Sequence, residues 1–249
     1  MRTIASIVVT GCLVTLALGQ PAAADRRIAL IIGNAAYEHT GVLKNPKNDA
    51  LKLKETLTRL GFEVTVAADA TQQDMKQQML AFGRALRANA DIGLFYYAGH
   101  AVQVGGNNYL IPVDANIADE SEVSLAAVNV NEFLATMSEA KSRVKIVVLD
   151  ACRNNPFPSA SRSATRGLAI VRAPTGTLIA YSTSPDEVAL DGDGDLSPYA
   201  QALTTALETE VGKPIELVFR KARNDVLEAT GGQQTPWDLS SITGDGSAC

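Results

Sequence analysis

Residues 92–100 read Ile-Gly-Leu-Phe-Tyr-Tyr-Ala-Gly-His, and residues 144–153 read Val-Lys-Ile-Val-Val-Leu-Asp-Ala-Cys-Arg. Each opens as a short, nearly continuous apolar run, the pattern of a strand buried on both faces. Each closes on side chains that carry chemistry. Residues 28–32 before Gly33-Asn34 and residues 177–181 repeat the run, and residues 62–66 form a fifth candidate strand. The pattern predicts strands over 92–97 and 144–149, so that His100 and Cys152 fall just past two strand ends.

Amphipathic stretches lie between these runs. Ala50, Leu53, Leu57 and Leu60 recur at helical spacing, with Gly61 placed to stop the helix. Met75, Met79, Phe82 and Leu86 do the same between Thr71 and Asn89, and residues 131–140 form a shorter case. Ser197-Pro198 is a cap followed by proline at the first helical position, opening a helix over 199–208. A final helix is predicted over 214–229. Strands alternating with helices imply an α/β fold, a mostly parallel central sheet with helices on both faces, whose chemistry gathers at the carboxyl ends of the strands.

The chain has 249 residues, 46% hydrophobic and 20% charged, with a formal net charge of −5. That excludes a disordered tail, and the absence of a basic block argues against nucleic-acid binding. Three Cys and two His, with no Cys-x-x-Cys, cannot build a zinc framework. Arg2, an uncharged apolar stretch over 4–18 and Ala22-Ala23-Ala24 read as a secretory signal peptide over 1–24. Its apolar part falls short of the roughly 20 residues that a spanning helix needs. The expected product is an exported chain, periplasmic or secreted, with no stable membrane anchor and one domain over 25–249. Val9-Thr10-Gly11-Cys12 is similar to a lipidation site, but the apolar core continues past Cys12 to Leu18. In an oxidising compartment Cys152 and Cys249 would be expected to pair; a bridge to the last residue ties down little, so a free Cys152 needs its own explanation.

A thiol becomes a good nucleophile on losing its proton, and an imidazole within reach can take that proton and return it to a leaving amine. Cys152 and His100 thus form a candidate pair for acyl transfer through a thioester.

The surrounding words carry a resemblance. Ala151-Cys152-Arg153, with a histidine 52 residues upstream, is similar to the caspase signature. Asp150 replaces the caspase Gln and Asn154 the Gly, which resembles metacaspases, paracaspases and their bacterial relatives. Further matching words are residues 29–34 (Ala-Leu-Ile-Ile-Gly-Asn), 48–50 (Asn-Asp-Ala), 95–100, 108–114 (Asn-Tyr-Leu-Ile-Pro-Val-Asp), 149–154 and 179–183 (Ile-Ala-Tyr-Ser-Thr). The resemblance implies a caspase-like three-layer fold and a cysteine endopeptidase acting on a peptide or protein substrate. His100 would be general base and acid, and Cys152 the nucleophile. The backbone N–H groups of Cys152 and Ala101 would form the oxyanion hole. Ala101 departs from the family's usual Gly, and its methyl group would disfavour a backbone angle that only Gly tolerates.

The resemblance also places Asp49 and Asp150 in an acidic pocket, with Asp186 or Glu187 as a third carboxylate. Such a pocket attracts a guanidinium through charge-assisted, often bidentate hydrogen bonds, so cleavage after Arg is expected, with Lys second. Read from its position alone, Asp49 is equally a cap for the helix that begins near Ala50. Residues 154–167, rich in Pro, Ser, Ala and Arg, form the connecting loop, and Arg162 and Arg166 within it are candidates for self-cleavage. Asp191-Gly-Asp193-Gly-Asp195 resembles the start of a calcium loop, but Leu196 and Ala202 stand where an EF-hand needs Gly and Glu. No metal or cofactor is assigned, although the family resemblance leaves calcium activation without a site. His39, in a polar turn, reads as a surface residue. Two rival readings are a catalytically silent peptide-binding module, motivated by Ala101, and a nucleotide-binding domain, suggested by Gly105-Gly106 and Gly33. Neither nucleotide fingerprint is present.

Overall fold

Alternate residues of each central strand feed opposite layers of helix, as the two-residue period of a strand requires. In a computed structural model, which describes residues 25–152, 168–185, 187 and 189–243, the strands are β1 (Arg27–Gly33), β2 (Phe62–Ala68), β3 (Ile92–Val104), β4 (Asn107–Leu110), β5 (Val128–Asn129), β6 (Val144–Cys152), β7 (Thr177–Tyr181) and β8 (Trp237–Ser240). The helices are α1 (Pro46–Arg59), α2 (Gln72–Asn89), α3 (Val123–Ala126), α4 (Val130–Ser138), α5 (Pro198–Thr209) and α6 (Ile215–Ala229). Leu94, Tyr96, Ala98, Ile146 and Val148 pack against the apolar faces of α1, α5 and α6. Phe95, Tyr97, Val147 and Leu149 pack against those of α2 and α4.

The main sheet runs β2-β1-β3-β6-β7-β8, parallel throughout except for β8, which is antiparallel to β7. All five strands and all five helices expected from the pattern are present, within a few residues at their ends. Thr71 caps α2 through Asp74 in a reciprocal box, and Ser197 caps α5 with proline at its first turn.

Three strands escaped the sequence pattern. Gly105-Gly106, with φ of +57° and +78°, makes the two-residue turn that folds β3 back onto β4, so this pair marks a hairpin and not a phosphate loop. β5 has two residues and β8 four, too few for a periodicity to show.

Two expected ends were also wrong. β3 does not stop at Tyr97 but continues through His100 to Val104, and β6 does not stop at Leu149 but continues to Cys152. No helix among the described residues is long and apolar enough to cross a membrane. The segments 1–24 and 153–167, together with Cys12, Arg162, Arg166, Asp186 and Cys249, lie outside the described residues.

Candidate active site

The extended strands fix the first relationship. In the parallel pairing of β3 with β6, His100 and Cys152 are register partners, on neighbouring strands about 4.8 Å apart. The side chain of Cys152 lies outside the described residues; the placement is that of its backbone.

The His100 side chain is buried, at 7% exposure. Its Nε2 lies 2.7 Å from the carbonyl oxygen of Gly41. A carbonyl only accepts, so Nε2 carries the proton and, in the neutral ring, Nδ1 carries the lone pair. Among the described residues Nδ1 is buried without a hydrogen-bond partner. Burial holds the imidazole below its ordinary pKa, against the Gly41 carbonyl and the Asp191 charge, which pull it up.

Ala101 follows in β3, fully buried and paired with Leu110 of β4. Among the described residues only Asp69 is a non-glycine with positive φ. The expectation that a methyl group at 101 meets a glycine-only angle is therefore corrected: Ala101 holds ordinary strand geometry. The His100 carbonyl accepts from Ile111 N–H in the continuation of β4, at 3.0 Å. Across a trans peptide the next N–H points the opposite way. The Ala101 N–H is thus turned from β4 toward the side of β6.

A second cluster lies beside the first. Asp49 and Asp150, at 1% and 7% exposure, line one narrow cleft with Gly99, Leu43, Leu190 and Asp191. Ser197 joins the two carboxylates. Its N–H donates to Asp49 Oδ1 at 2.9 Å and its hydroxyl to Asp150 Oδ2 at 2.9 Å, while its oxygen accepts the Ala200 N–H that caps α5. Tyr96 donates a second hydrogen bond to Asp150 Oδ2, at 2.9 Å. Among the described residues no Lys or Arg pairs with either carboxylate. Burial, and then the facing Asp150, push Asp49 up to about 8. Burial also raises Asp150, against the hydrogen bonds from Ser197 and Tyr96.

Asp49 is not the helix cap that its position suggested. Asn45 occupies that place, and Asp49 lies within the first turn of α1 with its side chain turned to Ser197. Glu187 is exposed, its carboxylate 3.4 Å from the Thr183 hydroxyl, and it is absent from the cleft lining. Among the described residues the third carboxylate of the cleft is Asp191, which accepts the backbone N–H groups of Lys44 and Asn45 just ahead of α1. In the sequence Asp191 reads only as part of an acidic loop, and Ser197 only as a cap. His39 is exposed beside Glu38, as its polar turn suggested. No group of three or more His, Cys, Asp or Glu among the described residues could hold a metal ion.

The family model described as Caspase domain matches residues 26–245. The chain is 36% identical over 135 residues to the mucosa-associated lymphoid tissue lymphoma translocation protein 1 homolog of Mus musculus, over 54% of this chain and 16% of that protein. Its human counterpart matches at 36% over 134 residues, again over 16% of its length. Caspase-1 of Felis catus matches at 25% over 130 residues, 51% of this chain and 30% of that protein. The matched stretch is thus a minor part of each of these curated relatives.

Proposed function

This chain belongs to the caspase-domain peptidase family, and from that premise we propose that it is a cysteine endopeptidase that cleaves after Arg, with Lys second, through Cys152 and His100. The observation that carries the specificity is the Asp49–Asp150 pair, two buried carboxylates bridged by one serine with no cation of the described chain to neutralise them. Such a pair is costly to hold charged and is satisfied by a guanidinium, whose fork offers paired donors to carboxylate oxygens.

In the proposed reaction the neutral imidazole takes the Cys152 proton on Nδ1 while Nε2–H remains on the Gly41 carbonyl. The thiolate attacks the carbonyl carbon of the bound Arg, and the oxyanion is met by the Ala101 and Cys152 N–H groups. The tetrahedral centre collapses to a thioester as His100 returns its proton to the leaving amine. Water, deprotonated by the same ring, then releases the acid. Ala101 supports this reading because its ordinary backbone removes the reason to expect a silent binding module. Export after removal of residues 1–24 belongs to the same proposal.

The test is hydrolysis of fluorogenic peptides ending in Arg, Lys or Asp under reducing conditions, with and without calcium, beside Cys152→Ala. Turnover of the Arg peptide that vanishes in Cys152→Ala is expected. Cleavage only after Asp would overturn the roles of Asp49 and Asp150, and no turnover from folded protein with a free thiol would overturn the peptidase.

A further inference from the structure

His100 has its backbone held in an unusual way for a residue inside a strand. Its N–H donates to the hydroxyl oxygen of Tyr37 at 2.7 Å, and its C=O accepts from the hydroxyl of Tyr97 at 2.7 Å. The two hydroxyl oxygens are 3.3 Å apart. An amide N–H only donates and a carbonyl only accepts, so the direction of this circuit is fixed. The His100 N–H gives to Tyr37, Tyr37 gives to Tyr97, and Tyr97 gives to the His100 carbonyl, sharing its proton with the Ile111 carbonyl at 3.0 Å. The circuit begins and ends on the same residue.

The ring of Tyr37 is also stacked on the imidazole, with centroids 4.5 Å apart and planes tilted by 47°. Tyr37 therefore touches His100 twice, through the backbone by its hydroxyl and through the ring by its face. Gly99 makes room for this. A Cβ there would come within 2.5 Å of the Tyr37 hydroxyl and 2.7 Å of the Tyr97 hydroxyl, and its φ of +154° is one that side-chain-bearing residues rarely adopt. The loop that carries Tyr37 is anchored in turn. Asp69 accepts the N–H groups of Ala35 and Ala36 at 2.9 Å each and pairs with Lys47, and buried Asn34 bonds to Ala70 and Ile111.

We propose that Tyr37 is a positioning residue for His100, setting the plane of the imidazole and the backbone from which it projects, so that Nδ1 is held ready for the thiol proton. The inference rests on the reading of His100 as the general base. Hydrogen bonds in such a circuit reinforce one another, and the loss of a single hydroxyl loosens all three links.

The experiment compares the whole chain with Tyr37→Phe, Tyr37→Leu and His100→Ala, using an Arg peptide for kcat and KM. Proton NMR titration of the imidazole adds a second readout; with two histidines in the chain, His39→Gln assigns the signals. Tyr37→Phe is expected to lower kcat by about 10-fold and Tyr37→Leu by about 100-fold, the scale of a slightly misplaced catalytic group, with KM within about twofold. In Tyr37→Leu the His100 titration is expected to move up toward the ordinary imidazole value as water reaches the ring. Should both variants keep kcat within about twofold while His100→Ala is silent, Tyr37 has no positioning role and the Cys–His reading stands. Should the parent chain be silent, or His100→Ala as active as the parent, the Cys–His reading fails. Tyr37 is then judged by the titration alone, and an unchanged His100 titration in Tyr37→Leu overturns it. Tyr37→Phe keeps the ring and its volume, so it decides the kinetic test if Tyr37→Leu does not fold.

Discussion

The imidazole of His100, inside β3, and the carboxylates of Asp49 on α1 and Asp150 on β6 are all buried within the field of Asp191, and burial moves their proton affinities in opposite directions. It lowers the base and raises the acids, because the interior disfavours the charged form of each. For His100 the result suits the proposed task, since a general base must start neutral. For the carboxylates it opposes the task, since a guanidinium needs a charged partner. Asp49, near 8, therefore keeps its proton at neutral pH, and a cation binding as proposed would displace it. One dielectric environment thus prepares one half of the proposed site and leaves the other to be completed by the proposed Arg substrate.

The largest effect expected is on the imidazole side. His100→Ala should lower kcat for an Arg peptide by about 10²–10⁴-fold, the usual worth of a positioned acid–base group, with KM little changed. A large rise in KM instead would merge the two halves and break the comparison. On the carboxylate side, Asp150→Asn and Asp49→Asn should each cost about 2–5 kcal/mol in kcat/KM for Arg, as when one partner of a desolvated charge pair is removed. Their rate of Cys152 alkylation by iodoacetamide should match that of the parent chain. Altered alkylation in these variants would show that the carboxylates act on the thiol as well as on substrate.

The pH dependence sharpens the contrast. The acid limb of kcat, set by His100, should lie below the ordinary imidazole value of about 6.5. KM for the Arg peptide should fall as pH rises from 6 toward 8, by at most about tenfold per unit, because binding releases one proton. Stability runs the other way. The folded state holds the Asp49 proton to about 8 while the unfolded carboxyl loses it near 3.8, so this contribution is present at low pH and is lost as pH rises through that window. Asp49→Asn should gain in Tm relative to the parent from pH 5 to pH 8, and a constant difference would remove the proton from the pocket.

The smallest effects test which residues stand outside both halves. Asp191→Asn should weaken Arg turnover less than either buried carboxylate variant, since its oxygens already accept two backbone N–H groups. Glu187→Gln and Ala101→Gly should leave kcat/KM within about twofold, the first because exposed charges contribute little. A large loss in Glu187→Gln would return Glu187 to the acidic pocket in which the family resemblance placed it.

Much of the fold was legible because apolar runs of five or more residues and helical spacing are strong local signals. The five long strands, five of the six helices and the Ser197 cap follow from them. The errors cluster where a residue serves a distant partner. Gly99 reads as lying just past a strand that ends at Tyr97, yet it continues β3 and leaves space for the Tyr37 and Tyr97 hydroxyls. Asp49 reads as a helix cap, yet it answers Ser197, 148 residues away. Gly41 carries no side-chain signal at all, since it acts through its carbonyl. Short β4, β5 and β8 hold too few residues for a period to declare itself.

The alternation of strand and helix, the family words around His100 and Cys152, and the presence of Asp49 and Asp150 could all be read along the chain. These are properties of neighbouring residues, fixed by local periodicity and chemistry. Long-range packing alone brings His100 and Cys152 to one register position, lines the cleft with Asp191 and not Glu187, and sets Ala101 in ordinary strand geometry. It also decided that two tyrosine hydroxyls close on His100. Each of these depends on segments tens of residues apart being packed into one low-dielectric interior, where burial sets both the contacts and the charges.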